Sequence, residues 1–219
     1  MPLPTVPYRI PAVPPAEVEQ RLRRDLAVAE TRRSVRHFST ELVSREAISA
    51  ALAIAGTAPS GAHRQPWHFV AIGDPEAKAR LREAAEAEER AFYAERASQD
   101  WLEDLEPLGT DTVKTHLTDA PWVIVVFRRD WEERGGKRRP NYYVTESVGI
   151  AVGMLLSSLH RAGLATLTHT PSPMAFLREL CGRPVNEKPF VVIPVGWPAA
   201  DCEVPDLRRE PLDRIATFL

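Results

Sequence analysis

The sequence predicts an α+β fold, because helical and strand patterns mix along the chain without the regular alternation of a βαβ sheet. Segments with apolar residues at helical spacing are interspersed with short apolar runs that are typical of buried strands. The predicted helices are 15–30, 44–56, 76–100 and 146–162, and the predicted strands are 67–72, 121–127, 165–169 and 190–195. We therefore expect a central mixed sheet flanked by helices.

Local residue choice sets several of the predicted boundaries. Ser44 is a suitable N-cap for the second helix, and Gly56 is a suitable end. Asp74 followed by Pro75 is a strong start for the third helix, since proline is favoured at the first helical position. That helix has only a thin apolar stripe, which favours partial solvation or a mobile cover. The segments 57–66 and 128–140 are predicted to be loops.

The helix predicted at 146–162 is the least polar of the four. A helix with so few polar residues favours burial on more than one face, for example against a second subunit. The tail after the last strand is predicted to be extended, with turns.

We expect a single domain at 15–219, preceded by an extended proline-rich arm at 1–14. A chain of 219 residues with 44% hydrophobic content is long enough for one substantial core. The arm lacks the apolar segment of a signal peptide, and no later run is apolar for long enough to span a bilayer. The sequence therefore predicts a cytoplasmic protein without a membrane segment.

Charge and metal-binding residues argue against two classes of function. The formal net charge is −2, and no block of like charge is long enough to suggest a nucleic-acid partner. The chain has two cysteines and six histidines, and none of them has the spacing of zinc ligands. We therefore predict neither nucleic-acid binding nor a metal site.

Two groups of polar residues are candidates for ligand binding. Arg32, Arg33 and Arg36 surround Ser34, and guanidinium forks with a hydroxyl suit a phosphate. Glu89 and Tyr93 share one helix face, and Lys114 follows in a separate segment. A carboxylate, a hydroxyl and an ammonium are what a zwitterionic amino acid needs. By pattern alone, both groups are more typical of solvated helix surfaces than of a binding site.

Four motifs in order along the chain carry a resemblance to a known family. They are RRSVRHF, APSGAHRQPWHFV, GLATLTHTP and the pair PVGWP and VPDLRREPLD, and together they cover nearly the whole chain after about residue 30. This arrangement resembles the nitroreductase superfamily, and most closely its iodotyrosine deiodinase branch. The resemblance implies an FMN cofactor, a nitroreductase-like fold and an intertwined homodimer.

The same resemblance implies roles for individual residues. The residues that would hold FMN are Arg32, Arg33, Ser34, Arg36, Thr168, His169, Thr170 and Arg209, together with Pro59 and Ser60 from the other subunit. The residues that would bind substrate are Ala62, through its backbone N–H to a phenolate, and Glu89, Tyr93 and Lys114, in an active-site lid at about 88–114. In one departure, the family tends to have threonine where this chain has His169.

Thr170 is the predicted catalytic residue. Its hydroxyl would lie at the flavin N5, which accepts a hydrogen bond in one oxidation state and donates in another. A hydroxyl can do either, whereas a backbone N–H can only donate. The resemblance therefore implies that Thr170 supports one-electron steps.

The activity implied is reductive dehalogenation of halogenated tyrosine, which releases halide and tyrosine, with electrons from a reductase or from NAD(P)H. Three alternatives remain open from sequence. They are a general NAD(P)H-dependent nitroreductase or quinone reductase, a flavin-fragmenting enzyme of the same superfamily, and a non-catalytic flavin- or halotyrosine-binding protein. The set of Glu89, Tyr93 and Lys114 discriminates against the general reductase, because apolar substrates do not need zwitterion contacts.

Overall fold

A computed structural model describes residues 4–219, in two compact units at 1–32 and 33–219. The first three residues of the predicted arm lie outside the described part, and residues 4–14 contain neither helix nor strand. Helix α1, Pro15–Glu30, follows as predicted and buries none of its side chains. Its apolar residues Val18, Leu22 and Leu26 are 44%, 63% and 57% exposed. The predicted boundary between arm and domain stays a prediction.

The second unit contains the remaining elements. Its helices are α2 Arg45–Gly56, α3 Pro75–Glu95, α4 Gln99–Leu105, α5 His116–Asp119, α6 Val144–Arg161, α7 Phe176–Leu180 and α8 Leu212–Ile215, with 3₁₀ turns at Gly61–His63 and Glu106–Leu108. Its strands are β1 Trp67–Ile72, β2 Trp122–Arg129, β3 Trp131–Arg134, β4 Lys137–Pro140, β5 Ala165–Thr166 and β6 Glu187–Gly196.

A four-stranded sheet in the order β1-β2-β6-β5 forms the centre of this unit. Each neighbouring pair of these strands is antiparallel. The expected mixed sheet is therefore wrong for these four strands, and the parallel contact is an isolated bridge between Ser34 and Thr166. An apolar run indicates a buried strand but carries no information on strand direction, which depends on distant partners.

Strand β2 is continuously apolar because both of its faces are covered. Ile124 and Val126 point into a cluster with α2 and α6, whereas Val125 and Phe127 point into a second cluster with α3, α5 and α7. All four are fully buried. Each such side chain contributes roughly 1.5–3 kcal/mol of burial free energy. The sheet is thus the middle of three layers.

The predicted helix starts are confirmed by their capping hydrogen bonds. Ser44 Oγ accepts from Ala47 N at 3.1 Å, and Asp74 Oδ1 accepts from Ala77 N at 2.8 Å. The predicted end of the third helix near residue 100 is wrong, because α3 ends at Glu95. Ser98 caps a separate helix, α4, by accepting from Trp101 N at 3.3 Å.

The segment 128–140, predicted to be a loop, is instead largely the hairpin of β3 and β4. Gly135 and Gly136 have φ of +58° and +69°, which is the left-handed backbone that a two-residue hairpin turn requires. The Arg138 guanidinium lies 4.4 Å from the centre of the Trp131 ring, so the hairpin packs on itself. Charged residues concealed this strand pattern.

Among the described residues, no helix is long and apolar enough to cross a membrane.

Candidate active site

A cavity of about 140 Å³ brings together residues from four separate parts of the chain. Arg36 comes from the segment before α2, Glu89 and Tyr93 come from α3, Lys114 comes from the chain just before α5, and residues 167–170 follow β5. The full lining is Arg36, Glu89, Tyr93, Trp101, Leu105, Thr110, Lys114, His116, Leu167, Thr168, His169 and Thr170. The structure therefore places the three predicted zwitterion contacts in one cavity.

The arginine-rich segment runs beside β5 and its continuation. Val35 N donates to Thr166 O at 3.0 Å, and Ser34 forms the parallel bridge to Thr166. This pairing brings Arg36 to the same cavity as Thr168 and Thr170. Side chains alternate along this extended segment, so Thr168 and Thr170 are exposed while His169 is buried between them. Both threonine hydroxyls are thus accessible to a ligand.

Lys114 and Glu89 form a buried ion pair. Lys114 Nζ lies 3.4 Å from Glu89 Oε2, and their side chains are only 4% and 14% exposed. Lys114 Nζ also donates to Thr110 Oγ1 at 3.3 Å and to the carbonyl of Asp111. The backbone N of Lys114 donates to Glu86 Oε1 at 2.8 Å. These bonds hold the lysine at the edge of α3 although it lies 25 residues after Glu89 in the sequence.

The charge states of the cavity follow from these contacts. Burial acts to raise the pKa of Glu89, but the hydrogen bond from His169 and the charge of Lys114 outweigh it, and the net pKa lies below its ordinary value. Burial and the nearby Glu89 charge raise the pKa of Tyr93. At neutral pH the cavity therefore offers a carboxylate, a neutral phenol and an ammonium.

The contacts of His169 are with other residues of the protein, whereas the resemblance implies a contact with the flavin. Its Nε2 lies 3.1 Å from Glu89 Oε1, and its backbone N–H and C=O pair with Val192 at 2.8 and 2.9 Å. Both backbone groups and Nε2 of His169 thus have protein partners. Its flavin contact stays a prediction. The alternation of Thr168, His169 and Thr170 was a sequence signal that the middle side chain faces away from the other two.

His116 is a residue of the cavity that sequence reasoning missed. Its ring packs edge-to-face on the ring of His169, with centroids 5.3 Å apart. Burial, followed by coulombic repulsion from His169, Lys114 and nearby arginines, lowers the pKa of His116 to about 3. It is therefore neutral throughout the physiological range. No motif in the sequence singled it out, because its importance depends on a contact with a residue 53 positions away.

The loop 57–66 carries three more predicted site residues but does not line this cavity. Ala62 has φ of +50°, and Ser60 Oγ accepts from Gln65 N at 2.9 Å. A Cβ at Gly61 would lie 2.8 Å from the backbone O of Tyr142, so only glycine fits there. Ala62 itself is exposed on this loop. Left-handed non-glycine backbone of this kind is concentrated at ligand sites.

Other predicted residues lie away from the cavity. Pro59, Ser60 and Ala62 are absent from its lining, as is Arg209, which lies exposed on the tail after β6. Arg33 and Ser34 precede Arg36 on the segment beside β5, whereas Arg32 belongs to the first compact unit. A single chain thus assembles the zwitterion contacts with Arg36 and the threonines, but not the complete set of predicted residues.

The nitroreductase family profile matches residues 29–197. The antiparallel sheet between two helical layers is the α+β fold expected for it, and the chain belongs to the nitroreductase family.

Relatives within this family share most of the length of the chain. It is 49% identical over 206 residues to the iodotyrosine deiodinase of Haliscomenobacter hydrossis, covering 94% of this chain and 93% of that protein. It is 43% identical over 221 residues to the iodotyrosine deiodinase of Danio rerio, covering 99% and 74% of the two chains. A crystal structure of oxidized iodotyrosine deiodinase bound to FMN and 3-iodo-L-tyrosine is similar in fold, with a TM-score of 0.75 and 30% identity, and covers 89% of this chain and 100% of that chain.

Proposed function

We propose that this protein is an FMN-dependent oxidoreductase that removes halogen reductively from halogenated tyrosine. The observation that carries the proposal is the single cavity in which Glu89, Tyr93 and Lys114 meet Arg36 and Thr170. The net reaction takes two electrons and one proton to the ring carbon and releases halide and tyrosine. The relatives and the structure bound to FMN and 3-iodo-L-tyrosine support this assignment.

The residues beside β5 suit FMN. Arg33, Ser34 and Arg36 offer guanidinium and hydroxyl donors to a phosphate and a pyrimidine edge, and Thr168 and Thr170 present exposed hydroxyls. Arg32 and Arg209 would add charge toward the phosphate, and each charged hydrogen bond contributes about 1.5–3 kcal/mol. The cation of Arg36 would stabilise negative charge on the isoalloxazine pyrimidine edge. When bound, FMN supplies the electrons for the reaction.

The substrate contacts divide between the amino-acid end and the phenol. Glu89 would accept hydrogen bonds from the ammonium, Lys114 would donate to the carboxylate, and the Tyr93 hydroxyl would complete the grip. The backbone N–H of Ala62 would donate to the phenolate oxygen and stabilise its charge. Thr170 would donate to or accept from the flavin N5 as its protonation changes.

A second copy of the chain completes the proposed site. Pro59, Ser60 and Ala62 would reach the cavity of the partner subunit. A groove of about 590 Å³ supports such an association, and its lining is Ile54, Ile150, Gly153, Met154, Ser157, Ser158 and Arg161. Gly149 and Gly153 have open space where a Cβ would lie, so another backbone can approach α6 closely. The exposed apolar stripe of α1 offers further area for an intertwined homodimer.

The segment 88–114 is proposed to act as a lid. From residue 86 to residue 113 no residue is buried, and the aromatic contact of Phe92 with Trp101 at 4.3 Å is its main internal packing. Because little apolar burial stabilises this segment, its charge contacts with a bound zwitterion would contribute much of the stability of its closed position. Electrons are proposed to come from NAD(P)H or a separate reductase.

The decisive test is anaerobic incubation of the dithionite-reduced protein with 3-iodotyrosine and, separately, with 4-nitrophenol. The proposal expects stoichiometric tyrosine and iodide from the first incubation. Glu89→Gln should lose this activity, whereas Glu83→Gln, an exposed change on the same helix, should retain it. Reduction of 4-nitrophenol without release of iodide would refute the proposal in favour of a general nitroreductase.

A further inference from the structure

The two carboxylate oxygens of Glu89 are held by different partners on opposite sides. Oε2 lies 3.4 Å from Lys114 Nζ, and Oε1 lies 3.1 Å from His169 Nε2. Lys114 comes from the chain before α5, while His169 lies on the extended segment that is bridged to β6. Glu89, near the start of the lid, is thus held by Lys114 at the end of the lid and by His169 beside β6, and its orientation depends on both contacts.

The contact with Glu89 decides which ring nitrogen of His169 donates a hydrogen bond. A carboxylate only accepts, so His169 Nε2 must carry the proton in this contact. His169 Nδ1 is buried and has no hydrogen-bond partner within the described residues. The geometry therefore places a proton on Nε2, which donates to Glu89.

The surroundings preserve this arrangement. The His116 ring packs edge-to-face on His169 and stays neutral, so it fixes the ring without adding charge. The titratable and charged groups around Glu89 and the cavity are His169 from the sheet, Lys114 and His116 around α5, Tyr93 from α3, Asp111 from the lid and Arg36 from the segment beside β5. Cations predominate over the acidic Asp111, which favours the ionised carboxylate.

We propose that His169 is a positioning residue for the amino-acid end of the substrate. By donating from Nε2 to Oε1, it orients the Glu89 carboxylate and keeps it ionised to receive the substrate ammonium. The inference rests on the proposed halotyrosine activity and deepens it, because it assigns selectivity for amino-acid over simple phenol substrates to a residue outside the substrate contacts. His169 is the second partner of Glu89 and acts through that carboxylate, without contacting the reacting atoms itself.

The test compares His169→Leu, which removes the donor, with His169→Gln, whose side-chain amide can place an N–H near the position of Nε2. The ligands are 3-iodotyrosine and 2-iodophenol, which lacks the zwitterion, both titrated into the FMN-loaded protein. His169→Leu should raise the Kd and KM for 3-iodotyrosine at least about tenfold, the effect of losing a charged hydrogen bond. Its kcat and its Kd for 2-iodophenol should stay within about twofold, and His169→Gln should restore most of the loss.

The pH profile separates positioning from structural support. In the parent, the loss of 3-iodotyrosine binding that comes from protonation of Glu89 should occur only at low pH, because the pKa of Glu89 is below its ordinary value. In His169→Leu that pKa should rise, so binding should weaken at a higher pH than in the parent, and His169→Gln should shift it back.

Four outcomes would refute either the positioning role of His169 or the proposed function. Equal losses for both ligands, or no loss for 3-iodotyrosine, would refute the positioning role. A parent protein that fails to bind 3-iodotyrosine would instead refute the proposed function. In that case the pKa of the Glu89 carboxyl, measured by NMR in the parent and both variants, still decides the role of His169. An unchanged pKa in His169→Leu would refute it.

Discussion

Substitution of Glu187 provides the strongest test of the structure away from the cavity. Its side chain is 3% exposed at the start of β6 and accepts from Arg183 at 2.6 and 3.1 Å and from Arg129 at 3.0 Å. His68 Nδ1 lies 3.9 Å from the same carboxylate. One glutamate therefore joins β1, β2 and β6 at one end of the sheet. Glu187→Gln keeps the shape of the side chain and removes its charge.

The expected loss of stability follows from burial. Removing one member of a buried ion pair costs about 3–5 kcal/mol. The Arg129 and Arg183 side chains are 31% and 24% exposed, so water can partly resolvate them, and the lower end of about 3 kcal/mol applies. For a chain of this size each kcal/mol shifts Tm by about 2–4 °C, which predicts a decrease of roughly 6–12 °C at pH 7.

The dependence on pH provides a second readout. Burial alone would raise the pKa of Glu187, but its bonds to Arg183 and Arg129 and the nearby His68 lower it overall. Its stabilising effect is thus fully present above the unfolded pKa of about 4.3 and is lost as pH falls through the lower folded pKa. The Tm difference between parent and variant should narrow over that range.

Thermal unfolding followed by circular dichroism measures both effects on the FMN-loaded protein. Glu83→Gln serves as the control, because it removes the same charge from an exposed position and should change Tm by less than about 2 °C. A Glu187→Gln variant as stable as this control at pH 7 would refute the argument that a buried carboxylate joins the three strands.

Three further predictions concern the proposed site. Lys114→Gln should weaken halotyrosine binding by about 1.5–3 kcal/mol and leave halophenol binding unchanged, as measured by calorimetric titration, and equal losses for both would contradict the amino-acid assignment. Thr170→Ala should bind FMN at parent stoichiometry but give a smaller paramagnetic signal during stepwise reduction, and an unchanged signal would remove Thr170 from N5. Halotyrosine, but not a halophenol, should protect the segment 88–114 from limited proteolysis, and equal cleavage with both ligands would argue against substrate-driven lid closure.

Local chemistry made much of the fold predictable. The Ser44 and Asp74 caps and the strand Trp67–Ile72 were correct from sequence, because capping and burial patterns act within a few residues. The β3–β4 hairpin was missed, since charged side chains hide its two-residue period. Its stability comes from cross-strand contacts and the turn at Gly135 and Gly136, which composition alone did not separate from a loop.

The site shows the same division between local and distant information. The sequence by itself placed Glu89 and Tyr93 on one helix face and, through the resemblance, grouped them with Lys114 and Arg36. Only the tertiary structure decided that Lys114 is a buried partner of Glu89 and that His169 holds the other carboxylate oxygen. Those contacts join α3 to residues 25 and 80 positions away, and no periodicity spans such distances. These contacts of Glu89 form only when the tertiary packing brings the distant segments together, so no single segment of the sequence determines them.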